Sequence, residues 1–267
     1  MLRARVLAPC LVSLSLSFVG VAYAADPPHK SGPATSQKAE TSTSEASPEK
    51  EGQRQRWIGA RSRAVYIPQF MFGVFQADGG KSIVSPSVGL ELATRHKDFE
   101  VDTWISYSSI AMGDVALKSK SDPNSAYEIV NSSMKMLSVG ADFLWSTAMN
   151  EQLAFTYGGG VGLGLVFGDL KRNQAYSTGD PNDPSSYTKC PAPSYSAACG
   201  TDNNHYGNYS ESNWINGGSK PVIFPWIALP QIGLRYQPSP KFAARLDTGL
   251  SFPGPFFVGL SGYYRLL

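Results

Sequence analysis

A period of two in the side chains, held over nine residues or more, constrains this chain more than any other feature. Phe99, Val101, Thr103, Ile105 and Tyr107 alternate with Glu100, Asp102, Trp104, Ser106 and Ser108. Successive side chains of a β-strand point to opposite faces, so this run predicts a strand with one apolar and one polar face. The stretch 153–167 repeats the pattern with glycine. Leu153, Phe155, Tyr157, Val161, Leu163, Leu165 and Phe167 oppose Ala154, Thr156, Gly158, Gly160, Gly162 and Gly164. Glycine weakens an isolated strand. In strict alternation with large apolar residues it marks the tight side of a curved sheet.

Six more runs, at 64–76, 83–95, 134–147, 223–236, 241–250 and 256–267, bring the number of strands to eight. Their apolar faces include Leu137, Val139 and Phe143, then Phe242, Ala244 and Leu246, then Phe256, Val258 and Leu260. The connections alternate in length. His96-Lys97, Met149-Asn150 and Gln237-Pro238-Ser239-Pro240 are short turns, whereas 112–133 and 169–222 are long. These features predict an all-β fold, an eight-stranded antiparallel up-and-down transmembrane β-barrel. Short turns face the periplasm in such barrels, which puts both chain ends on that side.

Alternation alone also fits a soluble barrel with an apolar interior. Aromatic placement separates the two. Tyr66, Phe99, Trp145, Phe155, Tyr236, Phe242 and Tyr264 are expected near the short-turn end, and Tyr107, Phe167, Phe224, Trp226 and Phe256 near the other. Two aromatic rings bounding an apolar band are what a bilayer selects. Phe99–Tyr107 is nine residues and Trp226–Tyr236 is eleven, which suits a tilted spanning strand. The polar face is poor in lysine, unlike the outside of a soluble barrel.

The N-terminal region reads differently. Arg3 and Arg5, the apolar run Leu11–Val21 and Ala22-Tyr23-Ala24 predict a signal peptide over 1–24, with Cys10 inside it. Residues 25–56 hold no Val, Ile, Leu, Met or aromatic residue. They are expected to be a disordered periplasmic tail, since they cannot bury enough apolar area to offset ordering entropy. The barrel is placed at 57–267. The 23 basic and 21 acidic residues of the whole chain become 21 and 21 once Arg3 and Arg5 are removed. That neutrality gives no electrostatic reason to expect nucleic acid as a partner. Cys190 and Cys199 remain, and an even pair close together in an exported chain reads as a disulfide.

With this architecture the chain resembles the small bacterial outer-membrane β-barrel family, the eight-stranded OmpA-like and OmpW-like group, over about residues 57–267. The last strand, Phe256-Phe-Val-Gly-Leu-Ser-Gly-Tyr-Tyr-Arg-Leu-Leu267, is similar to that family's C-terminal assembly signal. It ends in Leu267 where the family ends in Phe, and it carries Arg265 where an apolar residue is usual. The resemblance implies an outer-membrane location, the lipid bilayer as surroundings, and a monomer.

The polar face places Glu91, Glu100, Asp102, Asp142 and Asp247 in the lumen with Arg95, Arg235, Lys241, Arg245 and Arg265. Opposite charges in equal number are expected to pair, because an unpaired buried charge is costly. They would form either a plug or an ion gate, and the nearly filled interior of eight strands favours the plug. The loop 169–222, with Tyr176, Tyr187, Tyr195, Tyr206, Tyr209 and Trp214 among Asn, Ser, Gly and Pro, is the expected surface for an extracellular ligand. Asp180-Pro-Asn-Asp183 offers oxygens without an EF-hand pattern, and no metal or cofactor is expected. Catalysis is not expected either: of the histidines only His205 could reach the outer rim, near Ser210 and Ser212, and no motif organises them. The functional expectation is a structural or surface-interaction barrel. The alternative is a narrow channel for small or apolar solutes, motivated by the glycine strand and by Pro68, Pro86, Pro225 and Pro230.

Overall fold

The computed structural model describes residues 54–71, 77–201, 205–252 and 254–266. The expected signal peptide and almost all of the expected tail lie outside the described residues. Eight long strands build the barrel: β1 Gln55–Ile67, β2 Ile83–His96, β3 Phe99–Ser119, β4 Glu128–Ala148, β5 Leu153–Phe167, β6 Ile223–Ser239, β7 Phe242–Phe252 and β8 Phe256–Arg265. Each pairs antiparallel with the next. β1 also pairs with β8, from Trp57↔Arg265 to Tyr66↔Phe256, and closes the ring. Closure leaves no open edge among these strands, which is the condition for a sheet to cross a bilayer. Among the described residues no helix is long and apolar enough to do so.

The two faces are inverted relative to a soluble barrel. Leu90 is 60 % exposed and Leu260 58 %, whereas Asp102 and Asp142 are 0 % exposed. Apolar side chains face outward and charges face the axis, so the wall is built for lipid. Aromatic pairs mark both borders of the apolar band. Phe99–Trp145 (5.0 Å) and Phe242–Tyr264 (5.2 Å) lie toward the short-turn end, and Tyr107–Phe167 (6.2 Å) toward the other.

Four local expectations are corrected. First, β1 begins at Gln55 rather than near 64, so that it spans the full height against both β2 and β8. Second, Tyr66 consequently sits at the outer end, opposite Val84 and Phe256, and not in the short-turn ring. Third, Trp226 points inward and is buried, and Phe224 is half-buried. The cause is a bulge in β6: Ala228 and Gln231 are three residues apart but face Gly160 and Gly158, which are two apart. The extra residue flips the alternation, so Ile227 and Ile232 both face lipid although their parity differs. Pro230 belongs to this bulge, while Pro86 and Pro225 sit within continuous registers.

The fourth correction concerns the outer side. β3 and β4 are 21 residues each, about twice the ~9–11 that span a bilayer. The segment 112–133, read as a loop, is therefore mostly strand. Past a bulge after Met112 the hairpin pairs from Val115↔Val130 to Leu117↔Glu128. Ala77–Gly79 adds to its β3 edge, Leu170–Ser177 to its β4 edge, and Tyr187–Lys189 pairs onward with Ala175–Ser177. This sheet extension, the outer platform, buries Ala116, Tyr127, Ile129 and Ala175 together, with Tyr187 packed against them.

Candidate functional site

Inward-facing charged side chains from six strands meet in one network. Arg61 and Arg63 leave β1 two residues apart, on the same face. Arg61 approaches Asp142 at 3.3 Å and Glu91 at 3.5 Å. Arg63 reaches Asp247 at 2.7 Å and Asp142 at 3.4 Å. Toward the short turns, Arg95 holds Glu100 at 2.6 Å, Arg235 approaches the same carboxylate at 3.1 Å, and Arg245 joins it at 2.8 Å. Arg245 also hydrogen-bonds Asp102. Gln231 Nε2 donates to Asp247 at 2.8 Å, and Trp104 Nε1 to Asp142 at 3.0 Å. The guanidiniums lie over rings: Arg61 over Trp104 (4.7 Å), and Arg63 between Trp226 (4.9 Å) and Phe257 (4.2 Å). Such stacking spares these cations part of the cost of leaving water.

Of the ten lumen charges expected from sequence, eight are buried and paired here: Glu91, Glu100, Asp102, Asp142, Asp247, Arg95, Arg235 and Arg245. Lys241 is exposed and Arg265 half-exposed at the short-turn end, and neither joins the network among the described residues. Their places are taken by Arg61 and Arg63, which sequence reasoning missed. The ratio stays at five arginines to five carboxylates.

Gly160 and Gly162 of β5, with Gly140 of β4, are sockets for this network. A Cβ at Gly162 would lie 2.8 Å from the Trp104 ring, one at Gly140 2.4 Å from it, and one at Gly160 2.2 Å from Asp142 Oδ1. The glycine face seen in the sequence is thus where the large inward side chains of β3 and β4 rest.

The outer platform is the second candidate. Arg172 bridges Glu128 (2.5 Å) and Glu211 (3.2 Å), and His205 Nδ1 lies 2.7 Å from Glu128. His205 also stacks on Tyr209 at 4.5 Å, and Ser210 Oγ donates to Asp169 at 3.3 Å. Tyr187 donates its hydroxyl to Asn124 O (3.0 Å) and Pro181 O (2.9 Å) and packs on Tyr127. Burial, with Asp180 nearby, pushes the Tyr187 phenol up. Tyr206 donates to Gln174 at 2.6 Å. Cys190 and Cys199 form a disulfide. The Asp183 carboxylate accepts from the Ser185 hydroxyl and backbone N–H, which hold it below the usual carboxylate range. Asp180 is likewise used within this turn, by Asn182. Among the described residues no cluster of His, Cys, Asp and Glu is arranged to hold a metal. Tyr187, Tyr206 and Tyr209 therefore brace the platform, while Tyr195, Trp214 and Ile215 stay exposed.

No family model matches the chain, and no curated protein matches it. Among solved structures, Neisserial surface protein A is similar at 10 % identity over 79 % of this chain and 96 % of that one, with a TM-score of 0.38. The attachment invasion locus protein Ail of Yersinia pestis is similar at 15 % identity over 81 % of this chain and 99 % of that one, TM-score 0.36. An outer membrane channel from Pseudomonas putida F1 is similar at 8 % identity over 85 % and 100 %, TM-score 0.24. At such scores these likenesses transfer nothing to this chain, and its own strands and faces define its class. By strand number, closure, aromatic borders and inverted faces, the chain is a closed eight-stranded β-barrel whose wall is built to stand in a lipid bilayer.

Proposed function

We propose that this protein is a closed structural barrel that carries its outer platform as an interaction surface. The observation that carries this reading is the platform itself. Segments that could be bare loops instead extend the sheet and enclose a small core, and Cys190–Cys199 closes a short loop within one of them. Such bracing lowers the ordering cost of a later contact. Tyr195, Trp214 and Ile215 remain exposed on it, and exposed aromatics are preferred contact residues. The network of five arginines and five carboxylates supports a plugged lumen. No catalytic step is assigned, because His205 is engaged by Glu128 and Tyr209 and Ser210 by Asp169. A monomer in the bilayer, with an extracellular ligand on 169–222, completes the proposal.

The test compares cells displaying the intact chain with cells displaying a variant lacking 172–218, on surfaces coated with glycans, matrix proteins or lipopolysaccharide. The barrel strands are untouched by this deletion. Intact cells should adhere to at least one coating and the deletion variant to none of those. Equal adherence by both, at equal amounts of folded protein, contradicts the proposal.

A narrow channel is the second reading, favoured by an unfilled cavity in the outer half of the lumen.

A further inference from the structure

Between the charge network and the outer mouth the lumen keeps a cavity of about 80 Å³. Arg61, Arg63, Trp104 and Trp226 lie at its inner end, and Ile67 and Gly254 at its outer end. Its sides carry serines and the apolar Ile110 and Met136. A single water needs ~10–15 Å³ by the same measure, so the space suits about five to eight waters or a molecule of similar size.

The hydrogen-bonding groups of the wall are polarised. Ser85 donates to Ser109 O (2.8 Å), Ser87 to Arg63 O (3.0 Å) and Ser108 to Met136 O (3.4 Å). Their hydroxyl protons are committed to the backbone. The unspent donors are at the inner end. Arg63 uses only Nη2 in its hydrogen bonds to Asp142 and Asp247, and its buried Nε has no acceptor among the described residues. Arg61 Nη1 likewise has none, beyond its 3.5 Å approach to Glu91. Ser138, 3 % exposed, borders the cavity with its hydroxyl unpartnered among the described residues. Buried donors left without acceptors are uncommon and costly.

We propose that this cavity is a binding site for a short-chain carboxylate. Its carboxylate accepts from Arg61, Arg63 and Ser138, and its short apolar chain lies against Ile110, Met136 and the face of Trp104. An ammonium at the same place would meet two guanidiniums. A neutral alcohol would forgo the charge-assisted hydrogen bonds, which are about twice as strong as neutral ones.

The site is separate from the outer platform, since none of its lining residues falls within 172–218. The test is a titration of the refolded chain in detergent micelles, followed by tryptophan emission at constant ionic strength. The probes are butyrate, butylammonium and 1-butanol. Butyrate should produce a saturable change and the other two at least tenfold weaker ones. Ser138→Leu, which fills the cavity without touching a charge, should weaken butyrate at least tenfold. Arg63→Gln should remove the preference for butyrate over butanol; should that variant not fold, Ser138→Leu carries the test. Deleting 172–218 should leave butyrate binding within threefold. No saturable response, equal response to butylammonium, an unaffected Ser138→Leu variant, or loss of binding on deleting 172–218 would each overturn the proposal.

Discussion

Asp142 is the residue on which the lumen converges, with Arg61, Arg63, Trp104 and Gln231 all within hydrogen-bonding reach. Removing its charge leaves two buried guanidiniums short of an acceptor. Asp142→Asn should cost about 3–5 kcal/mol of unfolding free energy, read from urea titration of the refolded barrel. An unchanged midpoint would remove the network from the account. Gly162 tests the sockets. A Cβ there meets both the Trp104 ring and the Val139 carbonyl at 2.8 Å, so Gly162→Val should cost ~1–3 kcal/mol by overpacking. Gly262, with nothing within 4 Å of its Cβ position, is the control, and Gly262→Ala should stay within about 0.5 kcal/mol. The acids of the lumen were legible because each alternates with a large apolar neighbour. Arg61 and Arg63 were not: the outward side chains beside them are Ala60, Ser62 and Ala64, too small to mark an apolar face. The signal that could have found them was Trp57, Gly59, Arg61, Arg63 and Val65 read as one inward face.

At the scale of elements, the strands whose outward face is large and apolar, β2, β3, β5, β7 and β8, follow the alternation to within a few residues at their short-turn ends. The departures come from bulges and from strand that leaves the membrane. One extra residue near Pro230 inverts the outer part of β6, and a period-two reading has no means to register it. Beyond the bilayer the selection for a lipid face ends, so the outer halves of β3 and β4 pair without showing alternation. The platform depends on its own small core and on one disulfide. In the chain-entropy view, closing a loop of this length contributes about 3 kcal/mol, and that contribution is local. Replacing Cys190 and Cys199 together by serine should leave the barrel's unfolding midpoint in place and speed tryptic cleavage at Lys189 several-fold. Equal cleavage rates would mean that the Tyr127–Tyr187 packing alone holds this segment.

For the whole molecule, the sequence discloses the class because a closed sheet in lipid must show apolar residues on every outward face. It discloses less of the outer platform, since exposed platform residues are not bound by any such periodicity. On the proposed reading, a wall built for lipid surrounds a lumen plugged by paired charges. Conductance of the refolded chain across a planar bilayer, at two salt concentrations, tests this most directly. Protein shown to be folded and inserted should give no discrete steps at either concentration. Steps whose size scales with salt would establish a continuous water path through the network and contradict the closed barrel.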